Sequence, residues 1–405
     1  MVIDSNRRRI QNHKGMRHRI MQANVVNEVN TTRVVQHIWL SDGTTRVDVA
    51  KELGLVKSTV SRIVSLLLEQ GIVRETEAQH EHSRLGRKPV GLEINESYGL
   101  VLGLEIQPDF YNAAAIDLRG DVLNTWSAPL SMVGKDPVAA FFEIVEQLEP
   151  WIADRGVPLL GIGVAAPGLV DQFHGRILQS NPLNITSPVD FVERVSKRIS
   201  VPVILENDAN CGSWGELVHR KTSRHGNFVF VLGEFRTGEA ENSRYWGIAV
   251  GLGFVLGGEI YHGASYSAGE FQSILWRRGN EGQFSISDEE ARRIKEDRAI
   301  MEKALYELSA HVALFVNTLN LTSVVFGGEL TEHAHVLKPL MEAEIQKNWS
   351  YPSTVECSID FSPLGKDAVA YGAAGMFLES MFSVPALYSQ IGKTFRSRVS
   401  VLGTS

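Results

Sequence analysis

Apolar positions change their period along the chain, and the change divides it in two. Between residues 31 and 71 they recur at helical spacing. Val34, Val35, Ile38 and Trp39 share one face of a segment from about Thr31 to Leu40, which predicts a first helix stopped by Asp42-Gly43. Thr45 with Asp48 has the form of a capping box, so a second, short helix is expected to open there, bury Val49, Ala50 and Leu53, and end at Gly54. A third starts near Lys57 with Val60, Ile63, Val64, Leu67 and Leu68 at i, i+3, i+4, i+7 and i+8, and Gly71 closes it. Ile72-Val73 then begins a strand, a polar stretch makes a loop, and Arg84-Leu85-Gly86-Arg87-Lys88-Pro89 leads into a second strand, Val90 to Ile94. Three helices followed by a two-stranded wing predict a winged helix-turn-helix domain over residues 1–94.

From residue 97 to 405 strands alternate with helices. Gly99–Ile106, Tyr111–Leu118, Pro158–Val164, Val201–Leu205, Asn227–Leu232, Gly247–Leu256 and Ser323–Phe326 read as strands. Helices are expected at Val138–Ala153, Val189–Ile199, Ser287–Leu319 and Ala368–Glu379. The alternation predicts a second, α/β domain of two lobes with a cleft.

Charge follows the same division. Of 40 Lys/Arg and 47 Asp/Glu, residues 1–92 hold 15 and 9, so the net charge of −7 conceals a basic head and an acidic body. The head has the electrostatic footprint of a polyanion binder, whereas the body would be repelled by phosphates. Cys211 and Cys357 are the two cysteines of the chain, too few for a disulfide framework or a cysteine-rich zinc site. Residues 1–22 carry Arg7, Arg8, Arg9, Lys14, Arg17 and Arg19 without the apolar run of an export signal, and no later segment reaches membrane-spanning length; a cytoplasmic location is expected.

The polar early face of the third predicted helix presents Lys57, Ser58, Thr59, Ser61 and Arg62. Hydroxyls and cations there can meet phosphates and base edges if the N-terminal half enters a major groove of double-stranded DNA. In the wing, Arg87 and Lys88 could reach a narrow minor groove, whose potential attracts cations, or the flanking phosphates.

Several motifs occur in a fixed order: Arg87-Lys88-Pro89, Ala166-Pro167-Gly168-Leu169-Val170-Asp171, Glu206-Asn207-Asp208-Ala209-Asn210, Ala268-Gly269-Glu270, Phe326-Gly327-Gly328-Glu329 and Lys366-Asp367-Ala368-Val369-Ala370-Tyr371-Gly372. Together they resemble the ROK family of repressors and sugar kinases. The resemblance implies an actin-like, ribonuclease-H-type fold with a sugar held between lobes. It implies ligand contacts at Gly168, Asn181, Asn207, Asp208 and Glu270.

The chain departs from the family's kinases where their chemistry lies. At the first phosphate loop stands Glu105-Ile106-Gln107-Pro108-Asp109, in which Pro108 lacks an N–H, Gln107 replaces a glycine and Asp109 adds a negative charge. At the positions of the implied zinc ligands stand Ser273, Trp276, Arg278 and Gln283, and Ser285 replaces a sugar-binding glutamate. Neither ATP nor zinc nor another cofactor is expected, and no residue is assigned to catalysis. The expected function is a regulator, more naturally a repressor of carbohydrate-metabolism genes. It would bind a pseudo-palindromic DNA operator as a homodimer or homotetramer and respond to a sugar effector. An ATP-dependent sugar kinase, or a regulator whose body serves oligomerisation alone, are the alternatives.

Overall fold

The computed structural model describes residues 26–41, 43–77, 90–221, 226–236 and 246–388. Among them the chain forms two compact units. One runs to Tyr98 and takes in residues from Glu379 onward; the other spans Gly99–Leu378.

In the first unit, α1 covers residues 26–40. It is followed by β1 (Thr44–Thr45), α2 (Arg46–Leu53), α3 (Lys57–Glu69), β2 (Val73–Glu77) and β3 (Val90–Ile94). The strands form an antiparallel sheet in the order β1-β3-β2. Thr45 does two jobs at once: its backbone pairs with Gly91, and its hydroxyl accepts from the Asp48 N–H while donating to the Asp48 carboxylate at 2.6 Å. This capping fixes where α2 begins, and Gly54 in the left-handed region (φ 64°) ends it. The predicted apolar face of α3 is inside: Val60, Ile63, Val64 and Leu67 are buried, as are Val34, Val35, Ile38 and Trp39 of α1. Leu53 and Leu68, expected inside, are half-buried at the rim.

The C-terminal segment also belongs to this unit. The rings of Trp39 and Phe382 lie 5.6 Å apart, Gln36 Nε2 donates to Glu379 Oε1 at 3.0 Å, and the Tyr388 hydroxyl donates to Gln70 Oε1. A linear division at residues 94 to 97 does not express this return of the chain.

The second unit contains two five-stranded sheets of the same design. In the first, β4 (Leu100–Ile106), β5 (Phe110–Asp117) and β6 (Val122–Pro129) form an antiparallel meander. After α4 (Pro137–Asp154), β7 (Leu159–Ala166) pairs parallel to β4. A hairpin of β8 (Leu169–Asp171) and β9 (Arg176–Gln179) and the short α5 (Phe191–Val195) precede β10 (Val203–Asn207), which is parallel to β7. Helix α6 (Asp208–His219) leads to the second sheet, whose meander is β11 (Asn227–Arg236), β12 (Gly247–Leu256) and β13 (Glu259–Ile260). After α7 (Asp288–Arg292) and α8 (Arg298–Leu319), β14 (Ser323–Gly328) adds parallel to β11. Then α9 (Ala334–Lys347), β15 (Ser358–Phe361) and α10 (Ala368–Ser383) complete the set. The orders β10-β7-β4-β5-β6 and β13-β12-β11-β14-β15 are the same arrangement twice, the doubled architecture of an actin-like, ribonuclease-H-type domain.

Glycine permits the close packing of α6 and α10 in this unit. A Cβ on Gly103 or Gly163 would lie 1.9 Å from the Ala370 or Ala373 carbonyl oxygen of α10, and one on Gly253 would lie 2.5 Å from the Ala209 carbonyl oxygen of α6. The two helices also meet each other through glycine, since a Cβ on Gly372 would fall 1.7 Å from the Cys211 carbonyl oxygen.

Two expected helices are corrected. The helix expected over Val189–Ile199 is only Phe191–Val195, because the Val189 backbone is bridged to Ile177 and cannot also turn helically. The run Ser287–Leu319 breaks into α7 and α8. Asp297 takes an extended conformation and its carboxylate accepts from the Ala299 and Ile300 N–H groups, starting a new helix in mid-run. Helix α7 has its own capping box, Ser287 with Glu290. The exposed strand β6 has no mark in the sequence, since Val122 and Leu123 both face solvent and no apolar alternation signals it.

Candidate functional site

In the first unit, the candidate face is on α3. Lys57, Ser58, Ser61 and Arg62 are exposed and Thr59 is half-buried, opposite the buried Val60, Ile63, Val64 and Leu67. The predicted polar face is therefore one contiguous surface. Arg62 is held in place, its Nη2 donating to Asn27 Oδ1 of α1 at 2.6 Å. The helix has no side-chain cap, because Val56 at its start offers no side-chain acceptor; the Thr59 and Val60 N–H groups bond to the Val56 carbonyl. Arg87 and Lys88 lie outside the described residues.

In the second unit a cleft of about 690 Å³ is lined by all five predicted ligand residues, Gly168, Asn181, Asn207, Asp208 and Glu270. Gly168 (φ 102°) begins the turn into β8, and a Cβ there would meet the Gln179 carbonyl oxygen at 2.4 Å. Asn207 caps α6 by accepting from the Asn210 N–H, and its Nδ2 donates to the Gly168 carbonyl at 3.0 Å. The turn Asn207-Asp208 is thus locked to the turn at Gly168. Asp208, 9 % exposed, accepts from its neighbour's Ala209 N–H and from Gln107 Nε2 at 3.1 Å. Burial raises its pKa, and the hydrogen bond from Gln107 opposes that rise.

Three features here have no signal in the sequence. Gln107 is wholly buried and its amide is fully used: Nε2 donates to Glu105 and Asp208, and Oε1 accepts from Arg236 Nη2 at 2.8 Å. Glu206, also wholly buried, accepts from the Asn207 N–H, from Asn210 Nδ2 and from the His262 ring at 2.7 Å. The third is Gln283, which ties separate stretches of backbone: Oε1 accepts from Val250 N–H at 2.6 Å, and Nε2 donates to the Val250 and Phe271 carbonyls.

That last arrangement bears on zinc. Ser273, Trp276, Arg278 and Gln283 offer a hydroxyl, an indole, a guanidinium and an amide, and none supplies the thiolate or imidazole a tetrahedral zinc requires. The Gln283 amide is already committed to backbone, and Ser285 is tied to Glu307 by two hydrogen bonds. The residues do not fit zinc; hydrogen bonds cross-link this loop instead. Gln283→Ala is expected to lower stability by about 2–3 kcal/mol, because it leaves buried backbone groups unpaired. Thermal unfolding with and without a chelator checks both points: the substitution should lower the melting temperature, and the chelator should leave it unchanged.

Glu270 lines the cleft, and removal of its carboxyl from water, reinforced by the neighbouring Asp208, raises its pKa to about 7 from an ordinary 4.5. The native state therefore retains a proton that the unfolded chain has released, and stability declines as pH rises through that window. Glu270→Gln is expected to flatten part of the fall in melting temperature between about pH 4.5 and pH 7, the ordinary and the raised pKa of this carboxyl. An unchanged slope would place the titration elsewhere, Glu105 being raised to about 7 by burial as well.

Comparison with known proteins assigns the class. Residues 101–276 match the ROK family, and the chain carries a ROK family domain. The chain is 23% identical over 385 residues to the xylose repressor of Bacillus subtilis (strain 168), covering 87% of this chain and 96% of that protein. It is 26% identical over 248 residues to a putative xylose repressor of Caldicellulosiruptor sp. (strain Rt8B.4), covering 61% of this chain and 58% of that relative's length. Among solved structures, a ROK family transcriptional regulator described as a homolog of the E. coli MLC protein superposes with a TM-score of 0.69 at 21% identity, covering 91% of this chain and 99% of that one; it shares the fold. No helix among the described residues is long and apolar enough to cross a membrane.

Proposed function

We propose that this chain is a transcriptional repressor of carbohydrate-metabolism genes, whose α3 enters the major groove of a DNA operator and whose cleft takes a sugar or sugar derivative that alters operator binding. The exposed face of Lys57, Ser58, Ser61 and Arg62, set on a helix whose other face is core, carries the reading. The names of the two relatives support it and suggest D-xylose as the first sugar to test. The protein acts as a homodimer or homotetramer on a pseudo-palindromic site, in the cytoplasm.

The cleft binds rather than catalyses. Gln107 occupies the position where the family's kinases carry a phosphate-loop glycine, and its amide is committed to Glu105, Asp208 and Arg236 rather than open to a phosphate. Pro108 brings no N–H to a phosphate. Ligand control requires differential affinity: the sugar must favour one arrangement of the DNA-bound assembly over another.

Footprinting on the DNA upstream of the protein's own reading frame, with and without D-xylose, other sugars and sugar phosphates, tests the proposal. A protected operator that one of these releases is expected. Absence of protection at any salt concentration sinks the DNA-binding reading, and protection indifferent to every sugar sinks the effector reading.

A further inference from the structure

Residues that follow β4 and β7 of the first sheet and residues of β11 and β12 of the second both line the cleft. The turn between β4 and β5 contributes Gln107, Pro108 and Asp109 on one side, and β11 ends in Arg236 on the other. Arg236 crosses between them. Its Nη2 donates to Gln107 Oε1 at 2.8 Å and its Nη1 lies 3.4 Å from Asp109 Oδ1. The guanidinium is only 9 % exposed, so these contacts operate away from bulk water, where a charge-assisted hydrogen bond is strong and an unpaired cation is costly.

The partners beyond Gln107 give the contact its consequence. The Gln107 amide can lie only one way round: its Nε2 meets the carboxylates of Glu105 and Asp208 while its Oε1 meets the cation. A chain of hydrogen bonds therefore runs from Asp208, at the ligand-lining start of α6, through Gln107 to Arg236 on the opposite lobe. Arg236 is also the charge that offsets Glu105, Asp208 and Glu234 around it. A second fastening joins the two halves of this unit: the His262 ring, which follows β13, contacts Glu206 Oε2 of β10 at 2.7 Å and Gln172 in the β8–β9 turn at 3.2 Å, and the exposed Phe173 lies edge-on to the same ring.

We propose that Arg236 is a positioning residue that clamps the two lobes at the β4–β5 end of the cleft, presetting their separation before any ligand arrives and orienting Asp208 through Gln107. The inference rests on the reading of the cleft as a ligand site only for its consequence. With the separation preset, a ligand held by Gly168, Asn207 and Glu270 meets lobes already in place, and less ordering accompanies binding.

The test uses the full chain with spin labels at two exposed positions, Ser127→Cys on β6 and Lys338→Cys on α9, in a Cys357→Ser background; Cys211 is buried. Without ligand, the inter-label distance distribution should be narrow when Arg236 is present. In Arg236→Ala it should broaden toward longer distances and narrow again on adding ethylguanidinium, which can refill the vacated site. In parallel, Arg236→Ala should bind D-xylose about ten-fold or more weakly, the effect expected for removing one charge-assisted hydrogen bond.

An equally narrow distribution in Arg236→Ala, with circular dichroism showing the variant folded, overturns the clamp. So does broadening that ethylguanidinium cannot reverse, which would show a general loss of structure. If no sugar binds either protein, the effector reading fails while the distance measurement still decides the clamp.

Discussion

Arg62→Ala is expected to weaken operator binding by about ten- to a hundred-fold, the 1–3 kcal/mol typical of removing one side chain that meets a base or a phosphate, while leaving the melting temperature of the protein unchanged. The two effects separate because the two faces of α3 do different work. Ile63 and Val64, the next two residues, are in the core, whereas Arg62 is exposed and hydrogen-bonds to Asn27. That hydrogen bond pre-orders the guanidinium, so less side-chain entropy is given up when it meets DNA. Asn27→Ala should accordingly produce a smaller loss in the same direction. Salt titration distinguishes the partner. If Arg62 meets a phosphate, its removal lowers the dependence of log K on log salt by about one unit, whereas if it meets a base edge, its removal relaxes sequence preference. An unchanged footprint and affinity for Arg62→Ala would remove α3 as the reading helix.

The second large effect is on folding. Gly372→Ala is expected to destabilise the second unit by about 3 kcal/mol or more, read as a fall in its melting temperature. Helix propensity alone argues the other way, since alanine in a helix is better than glycine by about 1 kcal/mol. Sterics decide the outcome, because the added Cβ would stand 1.7 Å from the Cys211 carbonyl oxygen and 2.8 Å from the Gly215 nitrogen. Both neighbours are backbone of α6, so neither can rotate aside, and α6 and α10 must separate. Gly375→Ala, one turn further along α10, meets the side chain of Val218 at 2.9 Å and should cost less. Equal stability of Gly372→Ala and the native protein would mean that the two helices do not approach backbone to backbone.

The local elements are largely readable from the chain because their causes are local. The spacing of Val60, Ile63, Val64 and Leu67 identifies the buried side of α3, and therefore the outward side that carries Arg62. Thr45 and Gly54 mark the ends of α2 through capping geometry that needs no distant partner. Where distant backbone or a mid-run cap intervenes, local pattern misleads: Val189 is spent on a bridge to Ile177, and Asp297 divides a continuous apolar run by capping α8. The order of short motifs also points to Gly168, Asn181, Asn207, Asp208 and Glu270, which the structure gathers around one cleft.

What the sequence by itself determined is the type of most elements, the direction the helices of the first unit face and the set of predicted residues at the cleft. Periodicity and capping act over a few residues and are written in consecutive positions. Only the tertiary structure decided that Gln107 links Asp208 to Arg236, 129 residues further along the chain from Gln107, that the His262 ring meets the buried Glu206, and that Gln283 cross-links the loop at the implied zinc positions. Those hydrogen bonds join residues with no sequence relation to each other. They arise because a buried polar group must find a partner wherever the fold brings one within reach, and no local rule states which residue that will be.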